Sequence, residues 1–371
     1  MKKSLKIIIL LVVAVSLITT AIFVVIPLAT SKIAEQRFVE ALAEAGISEE
    51  MWSAGKIYSI PLLGQTIVDD LIFGDRTSGV FLEAKKVILA LDTSKENIIA
   101  GSVDVRDALF SADSTAISVR NMSVNDFCLD KDLYTHSPIK AIKKFGNIRM
   151  SEAVFKQREQ SLFSVGKLNV DLGYVEGKIP LSPSISLKDF VVDLRQSVKS
   201  HALRPEYRLS YFELKNSLIG GNFLSNLVID GENLFTIKST FAISLPSVLI
   251  ASGDISNLDK IDFGEDIKLN TISLTYTDKS LLDHVFELSG MTGGRAKAAV
   301  ELSETVAMLV SIDNGDAKRF VNEVVKFIGK PEKIEIKTNL SSPVSFKELS
   351  RNPFAINLSL SINGGKPFEI D

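Results

Sequence analysis

One cysteine, three histidines and one tryptophan in 371 residues leave little side-chain chemistry to work with. Cys128 stands alone, so no intramolecular disulfide can form and no cysteine-based metal site exists. An animal secreted domain of this size usually carries several cysteines, whereas a bacterial periplasmic protein need not. His136, His201 and His284 lie far apart in sequence, and neither H-E-x-x-H nor C-x-x-C occurs. His284 falls in a helical stretch beside Leu282 and Val285, where a lone histidine packs rather than ligates. G-x-S-x-G is absent too. Cys128, flanked by Phe127 and Leu129 in NDFCLD, reads as a buried thiol. The glycine clusters GMTGGR (290–295) and NGGKP (363–367) lack phosphate-loop spacing and read as turns.

Carboxylates are plentiful but scattered. Asp69 with Asp70, and Asp104 with Asp107, are the pairs from which acid–base chemistry would have to be built, and both read as exposed loop or strand positions. An envelope hydrolase would need these groups and the histidines in one cleft. The basic cluster Lys140, Lys143 and Lys144 is small against a formal net charge of −3. The sequence therefore predicts no catalytic, cofactor-binding or metal-ligating residues and no cofactor, and leaves the residues of any ligand groove unknown.

A long apolar run is present. Ile7 to Ala29 contains no charged residue and makes roughly 34 Å of helix, enough to cross a hydrocarbon core about 30 Å thick. Lys2, Lys3 and Lys6 place residues 1–6 in the cytoplasm by the positive-inside rule. The rest of the chain is then periplasmic, on the far side of a bacterial inner membrane crossed once. Without those lysines it carries −3 − 3 = −6, which gives no attraction to nucleic acid or to anionic lipid surfaces. A cleaved signal peptide is the alternative, but its apolar core is usually about 7–15 residues and ends at small residues. Here Val24, Val25, Ile26 and Pro27 fill that end. Asn121, Asn339 and Asn357 lie in sequons of a kind that arises often by chance.

After the anchor, residues 31–46 carry Ala34, Phe38, Leu42 and Ala45 at helical spacing, with Gly46 as a stop. This predicts a juxtamembrane helix packed on the first strands. From residue 50 to 371 the pattern is β. VFLEAKKVILALD, SVDVRDALFSA, AISVRNMSVNDFCL, GKLNVDLGYVEGKIPL and ISLKDFVVDL place apolar and polar residues on opposite sheet faces. No long helix separates them, which favours antiparallel pairing. HSPIKAIKK (136–144) reads as a basic, proline-containing break or a short helix, with strand resuming at Asn147. KVILALD (86–92) and KLNVDLG (167–173) form a short internal echo.

Three helices are expected late, near 278–328: 278–289 with Asp278 as N-cap, 295–309, and 316–328 with Phe320, Val321, Val324 and Phe327 on one face. EKIEIKTNL alternates strictly and returns the chain to strand. The predicted architecture is mainly β with a few helices: a curved, mostly antiparallel β domain, groove or sandwich, with a late helical insertion. A composition 46% hydrophobic, with 21 Phe against one Trp, suits either a thick closed core or an open apolar sheet that holds acyl chains. Membrane lipids and another envelope protein are the partners this predicts.

Leu71–Asp75, Val87–Asp92 and Ile98–Gly101 carry a strand, a strand ending in Asp and a small glycine connection. Together with the anchor and short helix, this opening of about 80 residues resembles AsmA-like and TamB-like bacterial envelope proteins. The resemblance implies a role in outer-membrane homeostasis and lipid transfer along a β-groove, without catalytic residues. The chain is short for a groove spanning two membranes. Tyr276, Asp278 and Leu281, followed by Pro343–Ser345, resemble the ends of uncharacterised single-anchor periplasmic proteins.

Overall fold

Long runs of alternating apolar and polar residues dictate antiparallel strands, and these dominate the computed structural model. The structure describes residues 35–370 except 37, 41, 43–47, 61–63, 78, 93–97, 131–140, 159, 194–205, 248–260, 289–296, 298, 302–314, 339 and 353–356. The expected tail and membrane segment, 1–29, lie outside the described residues. Among the described residues no helix is long and apolar enough to cross a membrane. The described positions of the expected juxtamembrane helix are helical, and Phe38 and Leu42, one turn apart, are buried. The chain divides into two compact units. One takes in the chain up to Pro183 with Leu187–Val192, the other Ser184–Ser186 and the chain from Asp193.

In the first unit β1 (Trp52–Ser53) and β2 (Lys56–Ile60) both pair with β3 (Gln65–Asp75). A meander continues through β4 (Val80–Asp92), β5 (Ile98–Ala112), β6 (Thr115–Asp130), β7 (Ile142–Gln157) and β8 (Gln160–Val175), each pairing antiparallel with the next. β9 (Ser184–Asp193) follows. β7 starts at Ile142, five residues before the expected Asn147. The reason is pairing: Ile142 and Phe145 face Leu129 and Phe127 of β6. That correction puts Lys143 and Lys144 in a strand, paired with Glu176 at 2.9 Å and Asp126 at 2.6 Å.

A single row of residues crosses this sheet and sets its two faces. Asp70, Asp107, Glu152 and Asp189, on alternate strands β3, β5, β7 and β9, have φ of 52, 48, 50 and 53. Between them the register places Lys85, Arg120 and Gly166. A left-handed residue in a strand advances the inside–outside alternation by one position. Thus Val68 and Leu71 are both buried, as are Val105 and Ala108. A regular strand would send the second of each pair to the other face. Aspartate tolerates the left-handed conformation better than most residues. The row is a charged seam: Lys85 Nζ lies 3.8 Å from Asp107 Oδ2, and Arg120 Nη1 donates to both carboxylate oxygens of Glu152 at 2.8 and 2.9 Å.

The second unit is also a meander, through β10 (Glu206–Ile219), β11 (Asn222–Gly231), β12 (Phe235–Ser244), β13 (Lys268–Asp278) and β14 (Lys333–Thr338). β14 pairs on with β16 (Leu358–Ile362), and that with β17 (Phe368–Ile370), while β15 (Val344–Ser345) pairs with the start of β13. Gly220 and Gly221, at φ 56 and 88, form the tight β10–β11 turn that residues with a Cβ resist. Between β13 and β14 stand α1 (Leu281–Leu288) and α2 (Gly315–Gly329), and α3 (Phe346–Arg351) follows β15. Phe327 of α2 buries against Leu360, Ile362, Tyr276, Ile334 and Ile336. Of the expected helix 295–309, the described positions 297 and 299–301 are helical.

Candidate functional site: a half-covered apolar face

The apolar face of the first unit is built as rows running across the strands. Leu71, Ala84, Ala108, Val119, Ala153 and Val165 stand opposite one another from β3 to β8, all at most 8% exposed. Phe73, Leu82, Phe110, Ile117, Phe155 and Phe163 form the row below, and Val68, Val87, Val105, Met122, Met150 and Leu168 the row across the seam. Apart from Leu71, the row next to the seam is alanine and valine, and the row below it carries larger side chains.

Cover is uneven. At the β3–β5 end Phe38 and Leu42 belong to the same buried cluster, and Phe38 meets the Trp52 ring edge-on at 5.3 Å between centroids. Phe73, Leu82 and Phe110 are sealed at 3–4% exposure. In the same row Phe163 of β8 is 36% exposed. Phe163 stacks on Phe155 at 4.6 Å and leans on Phe190 of β9 at 5.9 Å, so three phenylalanines form an aromatic floor. Leu181, after β8, is also exposed.

The structure separates the carboxylates that the sequence singled out. Asp69 pairs with Lys86 at 3.6 Å, an ion-pair distance longer than a hydrogen bond. Asp70 and Asp107 belong to the seam, with Lys85 between them in the register. Asp104 faces Ser123 on the polar side of β5 and β6. His136 and His201 lie outside the described residues. His284 is half-buried in α1. Among the described residues no group of three or more His, Cys, Asp or Glu is placed to hold a metal ion. Cys128 is half-buried, not buried as its neighbours suggested. Phe127 and Leu129 point into the core, so the residue between them takes the other face. The phenylalanine floor was not singled out from sequence; Phe155, Phe163 and Phe190 sit in three consecutive strands at the apolar phase, which is the signal that finds it.

In the second unit the expected cap is present: Asp278 Oδ1 accepts from the Leu282 N–H at 3.2 Å and from the Tyr276 hydroxyl at 2.6 Å. Burial, then this hydrogen bond, raises the Tyr276 pKa above the usual phenol value.

Residues 228–363 match a family model described as "Uncharacterized protein". The match runs from β11 through β16 and includes Tyr276, Asp278, Leu281 and Pro343–Ser345. No curated protein matches the chain.

Proposed function

We propose that this chain is a non-enzymatic, AsmA-like protein of the bacterial envelope, held in the inner membrane by residues 7–29, whose periplasmic β-sheet binds lipid acyl chains. The observation that carries this reading is the gradient of cover along one row, from Phe73 at 4% exposure to Phe163 at 36%. A closed core gives uniform burial, whereas a lipid-holding trough is sealed at one end and open at the other. Of the segments that resemble AsmA-like proteins, Leu71–Asp75 and Val87–Asp92 fall in the consecutive strands β3 and β4, which supports the same reading, whereas Ile98–Gly101, expected as a connection, opens strand β5. Holding or handing over a lipid needs no catalytic group, only apolar area and access.

The test is native mass spectrometry, with lipid extraction, of the full chain purified from membranes in mild detergent. The reading expects phospholipid at fixed stoichiometry, reduced by Phe163→Asp. A lipid count that Phe163→Asp leaves unchanged contradicts it.

A second reading rests on Val285 and Val300, which are 46% and 55% exposed in the helical part of the second unit. Apolar residues on an outer helix face suit an adaptor that binds another envelope protein. Crosslinking in cells from position 285 that recovers no protein counts against it.

A further inference from the structure

The opposite face of the β5–β8 sheet carries a different kind of site. Because the strands alternate, the residues between the apolar rows point away from them. Arg106, Asn121, Ser151 and Lys167 stand in one cross-strand row, and Asp104, Ser123, Arg149 and Asn169 in the next. These eight line a concavity of ≈ 260 Å³. Val105, Met122 and Met150 also border it, but their side chains belong to the apolar cluster.

Charge distinguishes this concavity. It holds three cations and one carboxylate, a local balance of +3 − 1 = +2, in a chain whose overall charge is −3. Of the other cations on this sheet, Lys85, Lys86, Arg120, Lys143 and Lys144 have carboxylate partners, and Lys56 lies over the Tyr58 ring. Arg106, Arg149 and Lys167 make no ion pair among the described residues. Arg106 on β5 and Arg149 on β7 stand two strands and one row apart, roughly 12 Å between backbones by strand geometry, within the combined reach of two arginine side chains. Asn121 donates to Ser151 Oγ at 3.1 Å, which leaves the Ser151 O–H to donate outward.

We infer that this concavity binds a phosphate monoester. Two guanidinium forks and an ammonium suit a compact dianion: arginine supplies paired N–H donors and lysine a point charge. A phosphomonoester carries about −1.5 to −2 at neutral pH, which the local +2 balances. A carboxylate would use only part of the array. The phosphate comes either from a lipid headgroup or from a soluble phosphate ester. The site lies on the face opposite the trough and stands whether or not the trough holds acyl chains.

The test is calorimetric titration of the full chain in nonionic detergent, first with glycerol 3-phosphate and separately with phosphatidic acid in the same micelles. Each is repeated on Arg106→Gln/Arg149→Gln/Lys167→Gln, three exposed positions whose neutralisation leaves the core intact, and on Arg149→Lys, which keeps the charge. Saturable binding of glycerol 3-phosphate, weakened at least about tenfold in the triple variant and weakened by salt, supports the site and assigns a soluble ester. Binding of phosphatidic acid alone, with the same loss, supports it and assigns a headgroup. No saturable binding of either, or equal affinity in the triple variant, overturns it. Co-purified phospholipid, counted in the same samples, separates this site from the trough: the triple substitution leaves that count unchanged, whereas Phe163→Asp lowers it and leaves glycerol 3-phosphate binding intact.

Discussion

Asp126 of β6 sits in the left-handed region, at φ 57, directly opposite Gly146 of β7, and a Cβ on Gly146 would lie 2.7 Å from the Asp126 Cβ. The same arrangement recurs where Asp189 faces Gly166, with 2.8 Å between the corresponding atoms. At these two positions the Cβ of the left-handed residue approaches the neighbouring strand so closely that the glycine there leaves it room. Gly146→Ala and Gly166→Ala are each predicted to cost about 1–3 kcal/mol in chemical denaturation, the range of an overpacked core position. Gly329 at the end of α2 has nothing within 4 Å of an added Cβ, and Gly329→Ala should stay within about 0.5 kcal/mol.

The gradient of cover predicts two different responses to truncation. Leu71 is 2% exposed in the sealed part of the face. Leu71→Ala should cost about 2–5 kcal/mol and broaden unfolding of the first unit. Phe163 at the open end already forgoes part of its burial, so Phe163→Ala should cost clearly less stability while lowering the bound-lipid count. Urea denaturation and lipid extraction on the same samples check both.

Tyr276 and Asp278 join α1 to the sheet. Loss of the hydroxyl in Tyr276→Phe should cost about 1 kcal/mol. Asp278→Ala removes that acceptor and the cap on Leu282, and should cost about 1–2 kcal/mol. Because the folded pKa of Tyr276 is raised, its contribution is complete below the ordinary phenol value near ~10 and is lost as pH rises through the folded value. Ultraviolet titration should therefore show Tyr276 ionising after exposed tyrosines.

Asp230 gives the opposite pH dependence. Its Oδ1 accepts from Lys279 Nζ at 2.6 Å and Thr236 Oγ1 at 2.8 Å, and its Oδ2 from Ser210 Oγ at 3.2 Å. The Lys279 hydrogen bond is the largest of the causes that hold this carboxyl below its usual value. A depressed folded pKa means stability present above the unfolded carboxyl value of about 3.9 and lost as pH falls through the folded one. Lys279→Met should move acid unfolding of the second unit to higher pH. The effect should be small, because both side chains are about one-third exposed.

Alternation alone made strands and antiparallel pairing legible, and the late helices read well: 278–289 and 316–328 were expected where α1 and α2 stand. The seam was harder to read, because a left-handed residue breaks the period of two that reveals a strand. Its trace is a spacing of three. Val68–Leu71, Ala84–Val87, Val105–Ala108, Val119–Met122, Met150–Ala153, Val165–Leu168 and Leu187–Phe190 each enclose two non-apolar residues, once per strand for seven strands. The echo between 86–92 and 167–173 was a fragment of that repeat. Arg106, Arg149 and Lys167 are 18 to 61 positions apart in sequence, and only the register brings them to one concavity. The start of β7 was misplaced because Pro138 and the lysines mask a pairing set by Phe127 and Leu129 of the neighbouring strand.

The most direct test of lipid holding is photocrosslinking in native membranes with a phospholipid that carries a photoreactive group at the end of one acyl chain. Peptide mapping then shows where the chain end rests. The account predicts adducts on the apolar side of β7 to β9, at Phe155, Phe163 and Phe190, and their loss in Phe163→Asp. Adducts confined to residues 7–29 would contradict it.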